Sequence, residues 1–287
     1  MKSVLITGAN GFVGKAIVNK LVSLNEYEVF THDIENGDIS RDPLEFPRVD
    51  HVIHLAAKTF VPDSWNTPLD FYQVNVMGTI NVLEFCRSQN IGVTVMSSYV
   101  YGTPDKLPIR ENHPIKSYNP YSHTKTIVED ICNFYNEKFK LNITLFRPFN
   151  IYGPAQSDVF LIPHIIMQFL DPNKDIVEVM DLNPKRDYLY IDDLTIALYK
   201  SINRKGFSIF NVGSGSSYSV EEIILIIKKI LKVDKSFVSK NKQRKNEVMD
   251  VIADISKVKK EMKWEPQYSL EQGLIKTINY YKDHIND

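Results

Sequence analysis

The residues best suited to chemistry are a tyrosine and a lysine four positions apart, Tyr121 and Lys125. Residues at this spacing lie on one face of a helix, so both side chains would point the same way. An ammonium group near a phenol favours the phenolate and lowers the pKa of the tyrosine, which makes Tyr121 a candidate general base. The same spacing also occurs on solvated helix faces, so its meaning depends on the surrounding motifs.

A serine hydroxyl could assist the same proton transfer. Ser97 and Ser98 stand at the end of a predicted strand, upstream of the tyrosine. A hydroxyl at this place could hydrogen-bond the same substrate oxygen as Tyr121. We therefore take Tyr121, Lys125, Ser98 and Ser97 as the candidate catalytic residues.

A glycine-rich turn near the start of the chain predicts a binding site for a dinucleotide. It follows the first predicted strand and opens the first predicted helix. Its glycines permit a tight turn and let a diphosphate approach backbone N–H groups at a helix N-terminus. The candidate cofactor-binding residues here are Gly8, Asn10, Gly11, Phe12, Val13 and Gly14.

An acidic residue follows at the distance that such a turn requires. Asp33 lies 19 residues beyond Gly14, just after the second predicted strand. A carboxylate there accepts hydrogen bonds from ribose hydroxyls and repels a 2′-phosphate, which favours NAD over NADP. The alternative is an ordinary turn aspartate. Weaker cofactor candidates around it are Ile34, Asp38 and Ile39.

The third predicted strand ends in small residues that leave room for a cofactor over the sheet edge. The cofactor candidates in this segment are Leu55, Ala56, Ala57 and Lys58. His54 lies within the strand pattern itself, so we interpret it as a buried structural histidine.

Alternating strands and helices must position these residues. Predicted strands cover 3–7, 27–32, 51–55, 93–97 and 143–146, and predicted helices cover 10–24, 71–86, 121–139, 192–203, 219–231 and 270–282. This alternation predicts an α/β fold with a parallel sheet covered on both faces. We expect residues 1–150 to form the NAD-binding domain, together with parts of 187–213, and residues 151–287 the smaller substrate-binding part.

The chain resembles the extended short-chain dehydrogenase/reductases that act on nucleotide sugars, the NAD-dependent epimerase/dehydratase type. The resemblance rests on motifs spread over nearly the whole chain in family order: TGANGFVG (7–14), HLAA (54–57), NVMGT (75–79), SSYVYG (97–102), YSHTK (121–125), RPFNIYGP (147–154), RDYLYIDD (186–193) and NVGSG (211–215). It implies a Rossmann-type doubly wound parallel sheet with a small mixed α/β C-terminal substrate cap. It also implies a bound NAD and a Ser, Tyr and Lys catalytic trio. It adds Asn75 and Pro148 as cofactor-binding candidates. The substrate-binding candidates are Ser98, Tyr99, Tyr121, Asn150, Arg186 and Arg244.

Arg186 and Asn150 are implied to hold the substrate diphosphate, and a guanidinium fork suits phosphate oxygens. The alternatives are a surface ion pair for Arg186 and a turn for Asn150. The basic cluster around Arg244 could meet the diphosphate or form a solvated face.

Three departures from the family pattern bear on the reaction. The serine segment is one residue short, so counting back from Tyr101 selects Ser97 and counting forward selects Ser98; we slightly prefer Ser98. Tyr99 and Val100 stand where related dehydratases carry an acidic pair, which disfavours loss of water. The short connection after Asp33 is reminiscent of sugar 4-keto-reductases. We expect a nucleotide-sugar 4-epimerase. The alternative is a 4-keto-reductase or dehydrogenase of the same family, and a non-catalytic NAD-binding module is the third hypothesis.

Composition excludes several other classes. The 287 residues carry a formal net charge of −1, which argues against an electrostatic grip on nucleic acid or an anionic membrane. The longest apolar runs are too short to span a bilayer, and we expect a cytoplasmic protein. Cys86 and Cys132 are too far apart for a metal site and are expected to be reduced core thiols. Helices 70–86 and 121–138 are apolar on two faces, which predicts a homodimer through them, with burial under the chain's own loops as the alternative.

Overall fold

The computed structural model describes residues 1–242 and 247–284. The strands are β1 (Lys2–Thr7), β2 (Tyr27–His32), β3 (His51–His54), β4 (Gly92–Met96), β5 (Ile143–Pro148), β6 (Asn150–Tyr152), β7 (Ile176–Val179), β8 (Lys185–Tyr190), β9 (Phe207–Val212), β10 (Ser217–Ser219) and β11 (Ser236–Ser239). The helices are α1 (Phe12–Ser23), α2 (Val61–Asn66), α3 (Pro68–Phe71), α4 (Gly78–Gln89), α5 (Pro120–Phe139), α6 (Leu161–Leu170), α7 (Ile191–Ser201), α8 (Val220–Leu231), α9 (Ser256–Met262) and α10 (Leu270–Asp283).

In the part of the chain so described, six strands form a parallel sheet in the order β2-β1-β3-β4-β5-β9. The strand order reverses between β1 and β3. In open α/β sheets, ligands bind at such a switch point, beyond the carboxyl ends of the strands. The glycine turn after β1 and the small residues after β3 both lie at that edge. The predicted fold class is therefore confirmed.

The sheet is covered on both faces, which explains why its central strands are continuous apolar runs. Val4, Leu5 and Ile6 of β1 are completely buried. Val4 and Ile6 pack in one core, with residues of α1, α7 and the C-terminal helices, whereas Leu5 packs in the other, with residues of α4 and α5. Because successive side chains of a strand point to opposite faces, one strand serves both cores.

The C-terminal part forms the smaller unit expected from sequence. Among the described residues it contains a mixed three-stranded sheet, β10-β8-β6, and a parallel pair, β11-β7. The buried carboxylate of Asp187 ties this unit together, since it accepts hydrogen bonds from the backbone N–H groups of Ser214, Gly215 and Ala253 at 2.6–3.0 Å. β9 returns to the edge of the large sheet beside β5, so the chain crosses between the two parts.

One predicted helix differs in detail from the structure. The helix expected at 71–86 begins at Pro68 as α3, passes through a π-helical segment (Tyr72–Met77) and continues as α4. Between β2 and β3 there is one short 3₁₀ turn (Ile34–Asn36), as the close spacing of Asp33 and Asp38 predicted. The two cysteines are buried and free, as expected. Within residues 1–242 and 247–284, the structure contains no helix long and apolar enough to cross a membrane.

Candidate active site

The candidate base lies in the first turn of α5, because the helix starts directly before it. The Asn119 side chain accepts a hydrogen bond from the Ser122 N–H at 2.8 Å, and Pro120 occupies the first helical position. A side-chain cap and a proline together fix a helix start. The sequence therefore places Tyr121 beside the carboxyl end of β4, where the serines follow.

Tyr121, Ser98 and Lys125 come together at this edge. Ser98 lies close enough to the Tyr121 phenol to act on its pKa, which it lowers. The Lys125 ammonium lies 5.9 Å from the centre of the tyrosine ring and donates to the Met96 carbonyl at 2.8 Å. The hydroxyl of the buried Ser97 is used inside the protein, where it donates to Glu129 at 2.5 Å.

Electrostatics at the trio differ from the sequence-based expectation. Burial raises the pKa of Tyr121 to about 12, and only the hydrogen bond from Ser98 acts against it. Burial also lowers the pKa of Lys125 to about 8. The predicted lowering of the tyrosine pKa by Lys125 is therefore wrong. The reason is desolvation, which penalises the phenolate more than a lysine at this distance favours it.

The glycine turn has the geometry of a phosphate-binding loop. Gly8 adopts φ +72°, and a Cβ there would lie 2.6 Å from the Ala56 nitrogen. A Cβ at Gly14 would lie 2.1 Å from the Gly8 carbonyl oxygen. The first turn of α1 can therefore pack this closely on the glycine turn only because residue 14 has no side chain. Gly11 caps α1 without a side-chain hydrogen bond, which leaves the first N–H groups of the helix, at Phe12 and Val13, for an anion.

Asp33 stands beside this turn. Its carboxylate accepts hydrogen bonds from the N–H groups of Asn10 and Ile34, both at 2.8 Å. Each carboxylate oxygen keeps a further acceptor site, as ribose hydroxyls require. The residues present thus fit a dinucleotide, with its diphosphate on the turn and its ribose at Asp33.

The buried side-chain amide of Asn75 holds the loop after β3 by hydrogen bonds. Asn75, in the π-helical segment, accepts from the Lys58 N–H at 2.8 Å and donates to the Lys58 carbonyl and the Thr124 hydroxyl at 3.0 Å. Both amide hydrogens are thus used inside the protein, so Asn75 supports the candidate loop Leu55–Lys58. His54 is buried between the hydroxyls of Thr7 and Thr79, and burial lowers its pKa to about 3, as expected of a structural histidine.

The remaining cofactor candidates lie along the same edge. Ile34 is exposed on the turn after Asp33, whereas Ile39 is buried against Gly78 of α4. The Asp38 carboxylate accepts from the backbone N–H and the hydroxyl of Ser40, so it shapes this loop. Pro148 ends β5 and is buried.

The other described substrate candidates lie in the serine segment and on strands β6 and β8. Tyr99 stacks on Phe149 with ring centres 5.5 Å apart. Asn150 donates to the Asp187 carbonyl at 3.3 Å. Arg186 donates to the Val248 carbonyl at 2.6 Å and forms an ion pair with Glu247, both side chains being mostly buried. Arg244 lies outside the described residues.

Comparison with known proteins identifies the family. A family model for GDP-mannose 4,6 dehydratase matches residues 23–277. The chain belongs to the NAD-dependent nucleotide-sugar epimerase/dehydratase family. It is 32% identical to a GDP-6-deoxy-D-talose 4-dehydrogenase from Aggregatibacter actinomycetemcomitans over 272 residues, which cover 89% of each chain.

Two solved structures show the same fold. A UDP-glucose 4-epimerase from Thermotoga maritima, solved with UDP-glucose, superimposes with a TM-score of 0.91 at 26% identity and covers 99% of this chain and 100% of its own. RMD from Pseudomonas aeruginosa, complexed with NADPH, gives a TM-score of 0.90 at 26% identity and covers 99% and 100%. The family consists of enzymes, nucleotide-sugar epimerases and oxidoreductases that use NAD(P).

The sequence missed the residues that support the trio. Glu129 and Arg147 form a buried ion pair under the serine turn, and Glu247 occupies the Arg186 guanidinium. Glu129 lies four residues after Lys125, on the same face of a helix, and Arg147 stands in an apolar strand. Charged residues are rarely fully buried unless they are paired. An acidic residue on the buried face of the helix and a basic residue in an apolar strand could therefore have indicated this ion pair.

Proposed function

We propose that the protein is an NAD-dependent nucleotide-sugar 4-epimerase. The observation that carries the proposal is the convergence of Ser98 and Lys125 on Tyr121 at the sheet edge that also holds the glycine turn. This arrangement supports proton transfer at a sugar hydroxyl rather than simple binding. Loss of either Tyr121 or Lys125 would be expected in a non-catalytic module, and both are present.

In this proposal Tyr121 takes the proton from the sugar 4-hydroxyl and later returns it. Bound NAD supplies the chemistry of hydride removal and return at C4. Ser98 holds the same sugar oxygen by a hydrogen bond, and the Lys125 ammonium favours the phenolate. Burial holds the pKa of Tyr121 at about 12, and this pKa must fall for the tyrosine to act as a base near neutrality. A positive charge arriving beside a buried phenol acts in that direction.

Asp33 supports NAD rather than NADP as the cofactor. Its carboxylate is anchored by two backbone N–H groups. A 2′-phosphate would place a second negative charge against it, whereas two ribose hydroxyls can donate to it.

A nucleotide diphosphate sugar is the proposed substrate. Arg186 and Asn150 stand on the adjacent strands β8 and β6, where a guanidinium and an amide could share a diphosphate. Tyr99 and Val100 are not acidic, so neither can supply the carboxylate that dehydration needs. Tyr99 stacks on Phe149, and Val100 is buried. The nucleotide base and the sugar are not specified by these contacts.

A 4-keto-reductase or dehydrogenase of the same family is the second candidate. It is favoured by the single short turn between β2 and β3 and by the 32% identity to a 4-dehydrogenase. The same trio can serve either reaction. The two differ in whether the ketone is turned over inside the site or released.

An incubation without added cofactor separates the candidates. Purified protein is mixed with UDP-, dTDP- and GDP-sugars, and Tyr121→Phe serves as the matched control. Formation of an epimer with less than one equivalent of NADH, absent in the control, supports the 4-epimerase. A requirement for stoichiometric NAD(P)H or NAD(P) contradicts the 4-epimerase and supports the reductase or dehydrogenase. Turnover that Tyr121→Phe leaves unchanged contradicts the assignment of the base.

We also propose a homodimer through the helices 70–86 and 121–138. Met77 and Phe134 are each about half exposed on these helices, at 46% and 52%. Apolar side chains exposed on two long neighbouring helices suit a second copy of the chain. Light scattering of the wild type and of Phe134→Asp tests this proposal: the variant is expected to be monomeric, and a monomeric wild type contradicts it.

A further inference from the structure

A buried ion pair lies directly beneath the serine turn. Glu129 and Arg147 are 4% and 3% exposed, and the guanidinium donates to the carboxylate at 2.9 Å and 2.5 Å. The Ser97 hydroxyl donates to the same carboxylate at 2.5 Å. One carboxylate thus collects three charge-assisted hydrogen bonds, which are among the strongest in proteins.

The pair holds the serine turn at both ends. At the first end, the Ser97 N–H donates to the Phe146 carbonyl at 2.8 Å, in addition to the hydroxyl bond. At the second end, Arg147 donates to the Tyr101 hydroxyl at 2.8 Å, and that hydroxyl donates to Asn211 at 2.5 Å. Ser98 lies between these two fixed residues.

The same pair also holds the helix that carries the base. Tyr121, Lys125 and Glu129 follow at intervals of four on α5, so they lie along one face of it. Arg147 belongs to β5, next to β4 in the sheet. The contact between Glu129 and Arg147 therefore fixes the distance between the helix with the tyrosine and the strand end with the serine.

We propose that Ser97, Glu129 and Arg147 are positioning residues that hold the Ser98 hydroxyl on the Tyr121 phenol. This inference rests on the proposed proton transfer by Tyr121. The Ser98 hydrogen bond is what lowers the tyrosine pKa against burial. A turn released from Glu129 lets Ser98 move away, so the pKa of Tyr121 rises and a smaller fraction of it is phenolate near neutral pH.

Ser97→Ala is the mildest test, because it removes one hydroxyl and no packing volume. We expect kcat to fall about tenfold, which corresponds to about 1.4 kcal/mol of lost transition-state stabilisation, with KM within about twofold. Since the phenolate is the active form, the acidic limb of the pH–kcat profile is expected to move to higher pH. Glu129→Gln is expected to show the same shift and a larger loss of kcat.

Ser201→Ala is the matched control. Ser201 is also a buried serine, and its hydroxyl bonds the Leu198 carbonyl and the Thr94 hydroxyl at 2.6 Å. This variant is expected to lower the melting temperature about as much as Ser97→Ala and to leave the pH profile in place. If both variants lose stability and neither shifts the profile, Ser97 has a purely structural role and the inference is overturned.

A titration without substrate separates this inference from the proposed function. Protein carrying ¹³Cζ-labelled tyrosine is titrated by NMR, with Tyr121→Phe assigning the Tyr121 signal. Ser97→Ala is expected to raise the pKa of Tyr121 relative to the wild type, whereas Ser201→Ala is not. An unchanged pKa in Ser97→Ala refutes the inference. A wild type that acts on no sugar nucleotide refutes the proposed function, and the titration still decides this inference.

Discussion

The ion pair between Glu129 and Arg147 also makes a strong prediction about stability. Both side chains are almost completely buried, so removing one partner leaves an unpaired charge that neither water nor another ion can reach. Breaking such a pair costs about 3–5 kcal/mol. Glu129→Gln and Arg147→Met should therefore each lower the free energy of unfolding by that amount. The double variant buries no net charge, so it should cost no more than either single change.

A double-mutant cycle in urea measures this coupling. We expect about 3 kcal/mol between the two positions. The surface pair of Arg87 and Glu84, with both side chains over 40% exposed, is the control, and its coupling should stay below about 1 kcal/mol. If the two buried substitutions add within about 0.5 kcal/mol, the charges are solvated in the native protein and the reasoning about the network is wrong.

Three further outcomes are expected. Gly8→Ala should purify without nucleotide and with a lowered melting temperature, because its Cβ would lie 2.6 Å from a backbone nitrogen at a φ of +72°; a normal nucleotide content would contradict this. His51 and His54 have their pKa values lowered to about 3 by burial, so their stabilising effect is present above pH 6.5 and is lost as the pH falls. Going from pH 7 to pH 5, each histidine should lower the free energy of unfolding by about 2 kcal/mol. Urea unfolding of His51→Gln at the two pH values should show a pH dependence smaller by that amount. Arg186→Ala should raise the KM for a nucleotide sugar at least tenfold, and an unaltered KM would remove the argument for a diphosphate at this position.

Sequence was sufficient for the sheet and for the glycine turn. A continuous apolar run such as Val4–Ile6 predicts a strand whose two faces are both buried. The positive φ at Gly8 is a conformation that few residues other than glycine adopt. The start of α5 was also predictable, because Asn119 and Pro120 fix it locally. These features depend on residues that are neighbours along the chain or on a repeated pattern.

Features that depend on distant residues could not be read in the same way. The contact that separates the two serines involves Glu129, which lies 32 positions after Ser97. The pKa of Tyr121 depends on how completely the folded chain excludes water from the phenol, which neighbouring residues do not reveal. The Glu247 carboxylate reaches Arg186 across 61 positions, so the sequence left an ion pair of Arg186 open without identifying its partner.

The most direct test of the proposed 4-epimerase follows the hydride itself. A nucleotide sugar deuterated at C4 is incubated with the protein and no added cofactor, and both epimers are analysed by mass spectrometry and NMR. The proposal predicts that the deuterium remains at C4 in both the substrate and its epimer, because the hydride returns to the carbon it left. Loss of the deuterium from C4, with a keto-sugar released, would contradict it.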